Sequence, residues 1–181
     1  AFATGRNQKT SVVCFTRGII EILNREELKG VIAHEIAHIK NRDVLLATIV
    51  AVIASAISSI SQIGFFFGGN NEENRNPIVT LLVMIFAPIA AVLVQLAISR
   101  SREYLADATA ASALGSGKGL ANALLKIDKN IQLLPSANIN PAFSSLFIAN
   151  PLKGDDFLSI FSTHPPIKKR VEKLLQFDNV K

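Results

Sequence analysis

Asn24-Arg25-Glu26-Glu27-Leu28-Lys29-Gly30-Val31-Ile32-Ala33-His34-Glu35-Ile36-Ala37-His38-Ile39-Lys40-Asn41-Arg42-Asp43 is the stretch on which the reading of this chain turns. Asn24 is a good helix cap, and Glu27, three residues on, can reach back to the cap's own N–H. A helix should therefore begin here and run through at least Asp43. Well inside it stands His34-Glu35-Ile36-Ala37-His38. A spacing of four puts both imidazoles on one helical face, one turn apart, able to bind the same Zn²⁺. Glu35 points to the neighbouring face, where it can contact a zinc-bound water without being a ligand. The bland alternative is a pair of surface histidines one turn apart.

Beyond Asp43 the charges stop. The 28 residues between Asp43 and Glu72 are uncharged, as are the 24 between Arg75 and Arg100. Either run is long enough to cross a hydrocarbon layer of roughly 30 Å, which takes about 20 helical residues. The link from Gly68 to Pro77 is short and rich in Gly and Asn, so residues 44 to 99 read as a helical hairpin. Ser55, Ser58, Ser59, Ser61 and Gln62 keep open the alternative of two core helices in a soluble protein. Ala51, Ser55 and Ser59, spaced four apart, would equally suit close helix contact in a bilayer. Pro88 should kink the second helix. Glu72, Glu73 and Arg75 mark the tip, whereas Lys40, Arg42, Arg100 and Arg102 flank the outer ends. By the positive-inside rule both ends lie in the cytoplasm and the tip across the membrane.

Upstream, Ala1 to Thr4 and Ser11 to Thr16 read as short strands joined by turn residues. Downstream, the second apolar helix should continue past Arg100 to about Ala113, followed by helices from about Gly119 to Leu133 and from Pro165 through Leu175. A Pro/Asn-rich loop from Pro135 to Pro151 separates the last two. The expected fold is mainly α, of the α+β kind, with a short N-terminal sheet and an internal apolar hairpin.

The chain has 181 residues, 49% hydrophobic and 18% charged, enough for one globular domain and too apolar for disorder. Its net charge of +5 divides as +2 over residues 1–43, −1 over 44–99 and +4 over 100–181. Excess base on the flanks of apolar segments marks the cytoplasmic side of a membrane protein before it marks nucleic-acid binding, and no RNA or DNA motif is present. Cys14 is the single cysteine. That excludes an internal disulfide framework and a multi-cysteine zinc site, so a metal must be held by His and carboxylate. The chain opens at Ala1 without an initiator Met or a signal pattern, which reads as a fragment of a longer protein.

A catalytic zinc needs a third protein ligand, and the candidates are His164 and carboxylates. Glu103 is attractive because the hairpin would return its helix beside the first two ligands; Asp107, one turn on, would then hold a ligating imidazole by its free N–H. An ion pair of Glu103 with Arg100 or Arg102 is the competing reading. Asn41 shares a helix face with His38 and suits orienting a loop or ligand, or is simply a polar surface residue. His164, fixed by Pro165-Pro166, either steadies a tetrahedral oxyanion or caps the last helix. Arg170 is expected to pair with an acidic group near the site. Lys168, Lys169 and Lys173 form a solvated face that can also lie against anionic lipid.

Four blocks together resemble the HtpX-type heat-shock membrane metalloproteases, relatives of the CAAX prenyl endopeptidases. They are Ala1-Phe2-Ala3-Thr4-Gly5, Ala33 to Asp43 with the pattern H-E-x-x-H-x-x-N-x-D, Ser99 to Asp107, and Thr163-His164-Pro165-Pro166 followed by Arg170. The resemblance spans essentially the whole chain. It implies a zincin-like, gluzincin-type endopeptidase with one zinc per chain, His34, His38 and Glu103 as ligands, Glu35 as the catalytic residue and Asp107 behind the ligands. It further implies a single protease domain over 1–181 that lacks the family's N-terminal hydrophobic hairpin, set in a bacterial-type inner membrane with the active site facing the cytoplasm. The substrates would be damaged or misfolded membrane proteins, in protein quality control and stress response. A strand with a free edge beside the cleft would bind them through backbone hydrogen bonds with little side-chain selectivity. The reading from another class is a silent membrane scaffold with a structural zinc, which would need a fourth protein ligand.

Overall fold

The computed structural model describes residues 1–5, 7–67, 77–133 and 164–179. The expected linker with Glu72, Glu73 and Arg75, and the loop from Pro135 to Pro151, lie outside these residues. The order of elements is β1 (Phe2–Thr4), β2 (Val12–Cys14), α1 (Arg17–Ile22), α2 (Arg25–Lys40), α3 (Asp43–Phe67), α4 (Pro77–Leu114), α5 (Lys118–Leu133) and α6 (Ile167–Asn179). The architecture is mainly helical with one two-stranded antiparallel sheet, β1 pairing Phe2 with Cys14 and Thr4 with Val12.

The chain divides into two compact units, Ala1–Val44 with Ser99–Lys181, and Leu45–Ile98. In the first, α2 opens as the sequence predicts. Asn24 accepts from the Glu27 N–H at 2.9 Å, and Glu27 accepts from the Asn24 N–H at 2.8 Å. Lys126 of α5 then holds the same Glu27 carboxylate at 3.0 Å. The buried face of α2 runs through Glu27, Gly30, Val31, His34 and Glu35, a 3.6-residue period that turns the first imidazole inward together with the packing residues. Gly30 lets α5 approach closely: a Cβ there would sit 2.5 Å from the backbone nitrogen of Leu120. The core gathers Val31, Ala110, Ala111, Leu120, Leu124, Val171 and Leu174 from α2, α4, α5 and α6.

α2 does not run through Asp43. It ends at Lys40; Asn41 is its C-cap, with its N–H bonded to the Ala37 carbonyl, and Arg42 takes a left-handed φ of 55°. Asp43 begins α3. The short helix α1, capped by Thr16, is absent from the sequence-based expectation, because six residues are too few to display a helical period.

The second unit holds most of α3 and the first part of α4. Both helices are long and apolar enough to cross a membrane by length and composition. Most of their side chains are exposed: no described residue of α3 after Asp43 is buried, Val52, Ile60 and Ile63 expose more than half their surface, and in the α4 part of this unit Ala91 and Leu96 are the buried ones among the described residues. Ala51, Ser55 and Ser59 are exposed as well. Pro88 lies inside α4.

Candidate metal centre

His34 and His38 come from consecutive turns of α2, and Glu103 from the stretch of α4 in the first unit. One ligand atom of each lies within 4.8 Å of the others. The two Nε2 atoms face each other at 3.0 Å, and each is 3.6 Å from a Glu103 carboxylate oxygen. His34, Glu35 and Glu103 are all buried.

What stands behind each imidazole decides which nitrogen is free. His34 Nδ1 lies 3.0 Å from Asp107 Oδ1, and His38 Nδ1 lies 2.5 Å from Asp43 Oδ2. A neutral ring whose Nδ1–H faces a carboxylate presents its lone pair at Nε2. Two such lone pairs 3.0 Å apart repel unless a proton or cation sits between them. The charges point the same way. Among the described residues, the buried side chains of Glu35, Asp43, Glu103 and Asp107 are opposed by the buried side chains of Arg102 and Arg170, formally two negative charges in excess. Uncompensated buried charge is costly, and a divalent cation would offset it. Glu103 Oε2 adds a third sign. It lies 3.2 Å from both His164 Nδ1 and Arg170 Nη1, yet neither is angled to donate to it, leaving a buried acceptor available. These donors fit a divalent metal.

Arg170 has no exposed surface. Its Nε and Nη2 donate to the two oxygens of Asp107 at 2.8 and 2.7 Å while Nη1 reaches Glu103. Burial works against ionisation of Asp107, but the hydrogen bonds from Arg170 and the close contact of His34 outweigh it and hold the carboxyl below its usual range. Glu103 is held well below that range too. There burial is overcome by the His164 contact and by the charges of Arg170 and His34. Burial pushes the His34 imidazole down, towards the neutral form a metal requires.

The structure brings together His34, Glu35, His38, Glu103, Asp107, His164 and Arg170. His164 lies against Glu103 and does not cap α6: neither of its ring nitrogens has a hydrogen-bond partner among the described residues. Glu103 faces the imidazoles, while Arg102 pairs with Asp43. Asn41 is not bonded to either imidazole: it closes α2, and its Nδ2 is buried without a hydrogen-bond partner among the described residues. The place behind His38 belongs to Asp43 instead, a role hidden from a reading that continues the helix through it.

A family model described as peptidase family M48 matches residues 1–178. The chain is 54% identical over 181 residues to a "Protease HtpX homolog" of Pelotomaculum thermopropionicum, covering 96% of this chain and 64% of the relative. It is 52% identical over 179 residues to the homolog of Pyrococcus furiosus, covering 96% and 62%. To that of Acidiphilium cryptum it is 50% identical over 186 residues, covering 98% and 65%. The chain thus spans less than two thirds of the length of these relatives. Among solved structures it is similar to the crystal structure of S. mikatae Ste24p, with a TM-score of 0.57 and 23% identity over 96% of this chain and 41% of that one, a likeness of fold. These matches agree with the resemblance carried by the four sequence blocks.

Proposed function

The chain belongs to peptidase family M48, and on that premise we propose that it is a membrane-bound zinc endopeptidase in which His34, His38 and Glu103 hold the metal. The observation that carries the reading is the convergence of two facing Nε2 atoms and a carboxylate within 4.8 Å, next to a buried Glu35. Zinc held there supplies Lewis acidity, lowering the pKa of a water to about 7 and polarising the scissile carbonyl.

The chain's own residues do the rest. Glu35 takes the proton of the attacking water and passes it to the departing amine. His164, against Glu103, donates to the oxyanion that forms on the carbonyl oxygen. Asp107 keeps the His34 proton on Nδ1, and Arg170 keeps Asp107 and Glu103 ionised. The substrate is an extended polypeptide. Among the described residues β1 is paired with β2 alone, which leaves its other edge for a substrate strand to add to through backbone hydrogen bonds. Backbone pairing selects for unfolded chain more than for sequence, which suits clearance of damaged or misfolded membrane proteins.

Residues 1–181 are read as one protease domain, interrupted by residues 44 to 99, which cross a bacterial-type inner membrane with the site on the cytoplasmic side. The exposed apolar faces of α3 and α4 support the crossing, and the basic flanks support the orientation. A structural zinc in a silent scaffold is disfavoured, since the metal-binding group has three members among the described residues and a closed site takes four.

The test is cleavage of casein by the chain purified in detergent. Activity should vanish on treatment with a zinc chelator and return with added zinc. Cleavage that survives a chelator shown to have removed all metal would overturn the reading.

A further inference from the structure

We infer that Asp43 is a positioning residue for His38 and that, through Arg102, it anchors this ligand to the two points where the apolar segment leaves and re-enters the first unit. The inference rests on the metalloprotease reading above. Its basis is a repeated arrangement in which each imidazole has its own carboxylate and each carboxylate its own arginine. Behind His34 stand Asp107 and Arg170. Behind His38 stands Asp43, whose second oxygen takes Arg102 Nη2 at 2.6 Å. All four of these charged residues are buried.

The backbone is shaped to produce the second arrangement. In an unbroken helix the residue five positions after His38 would lie about 140° around the axis and could not reach its ring. Instead the chain stops at Asn41 and turns through the left-handed Arg42, whose N–H bonds to the Ile39 carbonyl. This returns Asp43 to His38 Nδ1. A non-glycine residue rarely holds that conformation without surroundings that enforce it. Arg42 is exposed, so what its turn achieves is the placement of Asp43.

With Arg102 on one oxygen, the Asp43 carboxylate is fixed as the acceptor for Nδ1–H on the other. That aims the Nε2 lone pair at the metal position and makes the ring a stronger donor. Asp43 is also the first residue of α3, and Arg102 lies on α4 just after the second apolar run. Displacing either end would therefore loosen a metal ligand.

The full chain in detergent, loaded with zinc, provides the test. Zinc affinity is measured by competition with a chromophoric chelator, and the visible spectrum of the cobalt-substituted protein reports ligand geometry. Asp43→Ala should weaken zinc binding by about 10–100-fold, as loss of such a partner does elsewhere, and alter the cobalt spectrum. Asp43→Asn, which keeps the shape and loses the charge, should fall between it and the wild type, and it carries the test if the alanine variant does not fold. In a His38→Ala background, Asp43→Ala should cause no further loss, because its effect passes through that ring. Wild-type affinity and spectrum in Asp43→Asn and Asp43→Ala, or a full additional loss in the double variant, overturns the inference. If His38→Ala itself binds zinc like the wild type, the metalloprotease reading fails and the inference falls with it. If His38→Ala is impaired and the Asp43 variants are not, only the inference fails.

Discussion

Arg170 touches two carboxylates of the centre, Asp107 and Glu103, from a position with no exposed surface. Removing its charge leaves both carboxylates buried and under-compensated, which costs about 3–5 kcal/mol in comparable sites. Arg170→Gln should accordingly lower the unfolding free energy of the metal-free protein by that order in a urea titration; a loss below about 1 kcal/mol would contradict the geometry. Its sequence marks Arg170 as a partner of some acid, but the acid lies 63 positions away, a pairing made only by the fold. His34, Glu35 and His38 are legible because a four-residue spacing on a helix carries its own geometry. Glu103 and Asp107 are nearly so, being spaced by one turn on a helix that must return to the first. Asp43 is not, because its contact depends on a helix break at Asn41 and Arg42 that no proline or glycine announces. Asn41, one turn from His38, looks the better partner by spacing alone and is spent on closing the helix.

The helix that carries both histidines is set by two devices at its N-terminal half. Loss of the capping interaction in Asn24→Ala should cost about 1 kcal/mol, read as a lowered denaturation midpoint. The second device is the close approach of α2 and α5. A Cβ on Gly30 would meet the Leu120 backbone at 2.5 Å, and one on Gly119 would meet the Glu26 carbonyl at 2.7 Å. Gly30→Ala must push the helices apart and should destabilise by about 1–3 kcal/mol, as overpacking does; a variant as stable as the wild type would contradict the crossing. The capping box is visible in the sequence because its two partners are three residues apart. The crossing is not, because glycine within a helix gives no sign of what will press against it. The boundaries of α4 and α5 follow from the change of periodicity around Gly115, which adopts a φ of 75°.

Over the whole molecule, charge and apolar surface are arranged together. The exposed aliphatic residues of α3 and α4 would be costly in water, and the basic residues lie at the outer ends of the two uncharged runs. If the hairpin crosses the membrane with its tip outward, a thiol reagent that cannot pass the membrane should label Glu72→Cys, but not Lys118→Cys, on intact spheroplasts in a Cys14→Ser background; the reverse pattern would refute the orientation. The near absence of charge from 44 to 99 makes the apolar segment legible, and family membership follows from blocks spread from Ala1 to Arg170. What the folded chain adds is an electrostatic frame around the histidines, assembled from residues far apart in sequence. In our proposal this frame holds a zinc ion for Glu35 to use. It is tested most directly by measuring zinc content and casein cleavage side by side in purified wild-type and Glu35→Gln proteins. One zinc per chain is expected in both, with a rate reduced about 10²–10⁴-fold in the variant; undiminished cleavage by Glu35→Gln, or a wild-type protein that binds no zinc, would overturn this assignment.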